Sequence, residues 1–180
     1  NAEIYAEYHY DDSKQNLRDL LLDSDNARAT TFGISKAFLN SKNNINQISW
    51  EWTQMEQSGT RLLRGGGSWY RHAFIRHGYT NYGEVLGSSI GPGSNSHYLS
   101  LKKLNKKQKI ELAIEIIEQN NDFYYAAFES AKDFRRYWKD YNLHLKFDKK
   151  INNIWASINF VFSRSLNYQW ELEDFAKPYY

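Results

Sequence analysis

The amino-acid sequence predicts an all-β protein, an antiparallel up-and-down meander of about nine or ten long strands that forms part of a transmembrane β-barrel. Three observations carry that expectation. Apolar and polar residues alternate over stretches of ~10 residues joined by short polar turns, longer than the ~5–6 residues usual in a soluble sandwich. Phe, Tyr and Trp make up 17% of a 180-residue chain whose mean hydropathy is −0.76. Such amphipathic rings are favoured where an apolar surface meets water, at membrane interfaces and at glycan-binding faces. Third, no run approaches the ~18 consecutive apolar residues of a membrane helix, a limit that leaves a barrel open.

The first strand is Ala2 to Tyr10, with Ala2, Ile4, Ala6, Tyr8 and Tyr10 on one face and Glu3, Glu7 and His9 on the other. Asp11 to Asn26 reads as a polar loop around Leu20-Leu21-Leu22. Its acids (Asp11, Asp12, Asp19, Asp23, Asp25) lack the central glycine and terminal glutamate of a calcium loop, so a solvated loop is the better reading. Ala27 to Phe38 is a second strand, with Phe32, Ile34 and Phe38 sharing a face. The turn Asn40 to Asn46 leads into a third strand that sets Ile48, Trp50 and Trp52 against Ser49, Glu51 and Thr53. After a glycine-rich link, Trp69 to Tyr79 reads as a strand and Asn81 to Ser96 as a loop. Tyr98 to Leu104 and Lys109 to Glu118 flank the turn Asn105-Lys106-Lys107. In the second of these, Ile110, Leu112, Ile114 and Ile116 alternate, while Ile110, Ala113, Ile114 and Ile117 also make a helical stripe. The β-branched isoleucines favour a strand.

Alternation is clearest in the last third. Tyr141, Leu143, Leu145 and Phe147 alternate with Asn142, His144 and Lys146. Beyond the turn Asp148-Lys149-Lys150, Ile154, Ala156, Ile158, Phe160 and Phe162 alternate with Ser157 and Asn159. A last strand sets Leu166, Tyr168, Trp170 and Leu172 against Asn167, Gln169 and Glu171. The apolar faces point inward in a soluble barrel and toward lipid in a membrane barrel, and the pattern alone leaves both open. Rings near strand ends, Tyr137-Trp138 and Tyr168 with Trp170, favour lipid.

Composition narrows the classes further. A net charge of +2 is too small to argue for nucleic acid, and the absence of cysteine removes disulfides and thiolate metal sites. The chain starts at Asn1 without a basic-then-apolar leader, so it reads as processed or excised from a precursor. Residues 1–180 read as a single barrel segment, and no cofactor is expected.

Gly65 to Leu101 concentrates the candidate chemistry. Nine of the ten glycines lie between Gly59 and Gly93, and His72, His77 and His97 fall in the same region, two of them beside Arg71 and Arg76. Arg76-His77-Gly78 after Phe74-Ile75 resembles the opening of the histidine phosphatases, where a histidine attacks a phosphoryl group held by arginines. That chemistry also needs a second, downstream histidine and a further phosphate-binding arginine on an α/β scaffold, whereas no strand–helix alternation follows here and His97 and His144 sit in unrelated surroundings. Gly65-Gly66-Gly67 lacks the lysine and helix of a phosphate loop. On a strand, His72 and His77 would project to opposite faces, which argues against a shared metal. Arg71-His72 and Arg76-His77 instead form a positive ribbon, suited to lining a polar lumen or, with the Trp69 ring, to contacting a sugar or an anion. Trp69, Arg71, His72, Arg76 and His77 are therefore the candidate ligand-binding residues, with no catalytic residue among them.

The runs Trp69-Tyr70-Arg71-His72, Ile75-Arg76-His77-Gly78-Tyr79, Leu86-Gly87, Gly91 to Ser96 and Tyr98-Leu99-Ser100-Leu101 are similar to the C-terminal part of Wzi-type capsule assembly proteins. So are Tyr5-Ala6-Glu7-Tyr8 with Asp11-Asp12, and Gly33-Ile34-Ser35. The resemblance implies an outer-membrane barrel of a Gram-negative-type envelope that anchors capsular or other surface polysaccharide as a lectin, without catalysis. It also implies that the chain is the C-terminal portion of a longer protein. Two departures stand out: Asn95 occupies a position where the family pattern is acidic, and Phe175 to Tyr180 extend past the last clear strand. A soluble barrel or sandwich holding a small ligand is the alternative reading.

Overall fold

A computed structural model describes residues 1–10, 16–22, 24–40, 44–59, 67–72, 74–128 and 136–171. Seven strands of nine to thirteen residues form one sheet: β1 (Ala2–Tyr10), β2 (Arg28–Leu39), β3 (Ile45–Gln54), β6 (Asn95–Leu104), β7 (Gln108–Glu118), β8 (Lys139–Ile151) and β9 (Ile154–Leu166). They pair in the order β1-β2-β3-β6-β7-β8-β9, each antiparallel to its neighbours, so the sheet is the expected meander. The two-residue strands β4 (Thr80–Asn81) and β5 (Glu84–Val85) pair only with each other, as a small hairpin.

Connections at the two ends of the sheet differ in kind. At one end the chain reverses through short turns. Asn105 accepts from the backbone N–H groups of Lys107 and Gln108 at 2.9 and 2.7 Å, and Asn152 takes a left-handed φ of 55° between β8 and β9. At the other end are the longer connections that follow β1, β3 and β7, whose described residues include the helix α1 (Leu17–Leu22), the β4–β5 hairpin and the helix α2 (Asn121–Ala127). Part of the acidic loop expected before β2 falls outside the described residues, and α1 occupies its middle.

Register gives the sheet two unlike faces. Ile4, Ile34, Trp50, Leu99, Ile114, Leu143 and Phe162 are cross-strand partners in one unbroken apolar row. One residue along each strand, the other face carries Ser35, Ser49, Ser100, Ala113 and His144, and next to them Gly33, Glu51, Tyr98, Glu115, Asn142 and Ser163. A slip of one residue in any pair would interrupt both rows, so patterning holds the register.

Burial distinguishes the faces. Ser100 and Ala113, in the centre of the polar face, are 0% and 1% exposed, whereas Leu143, Leu145, Ile158 and Phe160 are 38%, 39%, 53% and 56% exposed. Over the central strands the polar face is the more enclosed one, and the apolar face looks out. A soluble barrel or sandwich requires the reverse.

Three expectations fail locally. Trp69 to Tyr79 is not a strand but a closed loop: Tyr70 has φ 65°, Gly78 has φ 56°, and the Tyr79 N–H donates to Tyr70 O at 2.9 Å. A Cβ at position 78 would lie 2.2 Å from that same carbonyl, so a tight return there needs glycine. The β8–β9 turn comes at Asn152-Asn153 rather than Asp148 to Lys150, because Lys149 and Lys150 still pair with Ala156 and Trp155. Past Leu166 the alternation is not a strand either. Asn167, Gln169 and Trp170 have positive φ, and Tyr168–Trp170 forms a 3₁₀ turn. Leu172 lies outside the described residues.

Candidate functional site

The glycine-rich segment folds back onto the enclosed face at the end of the sheet with the long connections. Ala29, Met55 and Ile90 form a small buried cluster, and Trp69, Tyr70 and Ile117 pack against it. Trp69 donates its indole N–H to Arg28 O at 3.0 Å, and the Tyr70 hydroxyl accepts from Ser88 N–H at 2.9 Å. Trp69 is thus an anchor of the segment.

Arg71, His72, Arg76 and His77 stand beyond that anchor and are exposed, with no ion pair to a described residue. They do not line the enclosed face from a strand, because the segment turns on itself. His72 Nδ1 accepts from the backbone N–H groups of Phe74 and Ile75, both at 3.2 Å, and Gly78 N–H donates to Ile75 O at 2.9 Å. The loop therefore presents two guanidinium groups and two imidazoles together at the rim. Neither remaining central histidine joins His77. His97 stacks on Trp50 on the outward face, and His144 lies against Glu115 on the enclosed face.

Sequence reasoning passed over the residues that hold this loop in place. Asp122, buried at the start of α2, accepts from Gln57 N–H at 2.9 Å and from the Ser68 hydroxyl at 3.4 Å. One carboxylate thereby fastens both ends of the stretch from Gln57 to Ser68 that leads into the loop. Helix α2 begins here because Asn120 accepts from Phe123 N–H at 3.1 Å, a side-chain cap, and Asn120-Asn121-Asp122 was the available signal. Beside it, the Asn95 amide donates to Glu56 at 2.5 Å and to Glu118 at 3.5 Å. Asn121 bridges the same two carboxylates, and Lys139 pairs with Glu118 at 2.7 Å. An amide at position 95 suits this site, where an acid would add a third carboxylate.

Aromatic rings gather on the same rim. Phe123 and Trp170 lie 4.7 Å apart, Trp138 and Tyr168 5.0 Å, and Trp138 and Trp170 5.6 Å. The hydroxyls of Tyr125 and Tyr137 are hydrogen-bonded, and burial, then that bond, pushes the Tyr125 phenol above its ordinary value. Among the described residues the Trp170 indole N–H is buried without an acceptor.

Below the rim the enclosed face is a wall of paired polar groups. Tyr5 donates to Glu51, Tyr98 donates to Glu111 at 2.9 Å, and Lys102 pairs with Glu111 at 3.3 Å. Glu115 holds both Asn142 and His144, at 3.0 and 3.2 Å. These groups neutralise one another, whereas Arg71 and Arg76 on the rim loop carry charge without an ion pair to a described residue.

No curated protein matches the chain. Among solved structures it superposes on Wzi of Escherichia coli, an outer membrane protein involved in group 1 capsule assembly and a carbohydrate-binding β-barrel. The TM-score is 0.69 at 13% identity, with 92% of this chain covered. At that identity the likeness is one of fold, and the chain spans 34% of the length of that barrel. The family model of the capsule assembly protein Wzi matches residues 1–176, so the chain belongs to the Wzi family of capsule assembly proteins.

Proposed function

We propose that residues 1–180 are the C-terminal portion of a larger outer-membrane β-barrel that holds capsular or other surface polysaccharide at its rim without chemical turnover. The observation that carries this reading is the inverted polarity of the sheet. A half-exposed Leu, Ile or Phe forgoes roughly 1 kcal/mol of burial in water. Over the seven-residue apolar row the sum is comparable with a whole domain's stability of about 5–15 kcal/mol, so lipid is the solvent that suits this face. Strand length agrees, since a tilted span takes ~9–11 residues. Barrels of this kind turn tightly on the periplasmic side and carry long loops outside, which puts the Asp122-anchored loop at the cell surface.

Polysaccharide contact is the role that suits the rim. Guanidinium forks and imidazoles at Arg71, His72, Arg76 and His77 supply hydrogen bonds to hydroxyl and carboxylate groups, and the nearby rings supply apolar faces for sugar C–H groups. Trp69 serves by positioning the loop. The test is binding of capsular polysaccharide by the full-length protein with Arg71→Ala and Arg76→Ala combined. We expect at least about a tenfold weaker Kd, the equivalent of roughly 1.4 kcal/mol, with the barrel still folded. Unchanged affinity in a folded variant would contradict the assignment.

A further inference from the structure

On the outward face near the short-turn end, the sheet carries a groove of about 460 Å³ lined by Phe38, Ile48, Leu101, Lys103, Ile110 and Leu112. Phe38, Asn46 and Lys103 are cross-strand partners on β2, β3 and β6, and Lys36 lies on the same face, with its Nζ 5.2 Å from the centre of the Phe38 ring. Two ammonium groups and an amide thus flank an apolar trough. Lys36 and Lys103 are exposed and form no ion pair with a described residue. Nor does the outward face offer them one. Its only acid on the seven strands is Glu118, at the opposite end and already paired with Lys139.

A lysine facing lipid costs about 2–4 kcal/mol at the midplane and about 0–1 kcal/mol near the interface, so two of them on one face mark headgroup depth. Strands β2 and β6 are separated only by β3, and Lys36 lies opposite Leu101, two residues from Lys103, so at the usual strand spacing and rise the two backbones are about 12 Å apart, within reach of one phosphate for two long side chains. Lysine binds phosphate as a point charge and needs no fixed fork geometry.

We propose that this groove binds one anionic glycerophospholipid, its phosphate held between Lys36 and Lys103 and an acyl chain lying along Ile48, Leu101 and Leu112. The inference rests on the membrane-barrel reading, which turns the short-turn end toward the periplasmic leaflet. Charge selects the occupant: a lipid without a phosphate fills the trough and leaves both ammonium groups unpaired, and a zwitterionic headgroup brings an ammonium of its own beside them.

The test is native mass spectrometry of the full-length barrel released from detergent containing phosphatidylglycerol, with heat-modifiable electrophoretic mobility as the check on the barrel itself. One phosphatidylglycerol is expected to stay bound to the wild type and to Lys106→Gln/Lys107→Gln, whose changes lie in the β6–β7 turn. In Lys36→Gln/Lys103→Gln, retention is expected to fall at least about tenfold at normal mobility. Equal retention in that variant, equal retention of a diacylglycerol lacking phosphate, or a dimer that excludes lipid from this face would each overturn the site while leaving the barrel intact. A wild type without barrel mobility would overturn both readings.

Discussion

The Tyr5 ring occupies the space that a side chain at position 33 would fill, and a Cβ there would come within 2.1 Å of it. That contact lets the Tyr5 hydroxyl reach Glu51 across β2. Gly33→Ala should push the ring away and lose the bond, destabilising the full-length barrel by about 1–3 kcal/mol in urea unfolding from lipid. In the double variant with Tyr5→Ala the two costs should fall short of additivity, because both changes remove one contact. Asn95 makes a second point at this scale. Asn95→Asp would set three carboxylates together with Glu56 and Glu118, and a loss of about 1–3 kcal/mol is expected by the same measurement, against little change for Asn95→Gln. The pattern of residues before Ser96 marked position 95 as a departure, but the reason for it lay in Glu56, 39 residues away.

At the scale of elements, the structure separates real alternation from accidental alternation. β7 is a strand although Ile110, Ala113, Ile114 and Ile117 also make a helical stripe, because β6 and β8 supply backbone partners on both sides of residues 108–118. Leu166 to Glu171 alternates equally well in residue type, yet positive φ at Asn167, Gln169 and Trp170 breaks it, while Trp69 to Tyr79, with rings and Arg-His pairs in blocks, turns back through positive φ at Tyr70 and Gly78. Periodicity registers which residues would suit a two-sided surface, and it is blind to whether a neighbouring strand is there to pair. The long strands, their faces and the family were therefore legible in sequence. The rim was legible only as composition, since its geometry depends on contacts such as Asp122 with Gln57 and Ser68, distant in the chain. Asp122→Ala should release both ends of the stretch from Gln57 to Ser68. Faster proteolysis within residues 59–93 and weaker polysaccharide binding are expected, with barrel mobility unchanged.

Over the whole sheet, the two faces suit two different solvents. Lipid suits the row from Ile4 to Phe162, and water suits the wall of Glu51, Tyr98, Glu115 and His144. Ile114→Arg, in mid-row, should cost about 2–4 kcal/mol in unfolding from lipid, whereas Lys103→Arg, at headgroup depth, should change stability little. The outer edges of β1 and β9 carry no partner among the described residues. In a closed barrel such edges pair with further strands, and left open in water they invite aggregation. The central claim is that successive residues of one strand see lipid and water in turn. Residues 1–180 contain no cysteine, so single cysteines can be placed at 141 to 148 along β8 and spin-labelled in the full-length barrel in a bilayer. Labels at 141, 143, 145 and 147 should collide with oxygen dissolved in lipid, and those at 142, 144, 146 and 148 with a water-soluble relaxer. Reversed alternation, or water access at all eight positions, would contradict the account.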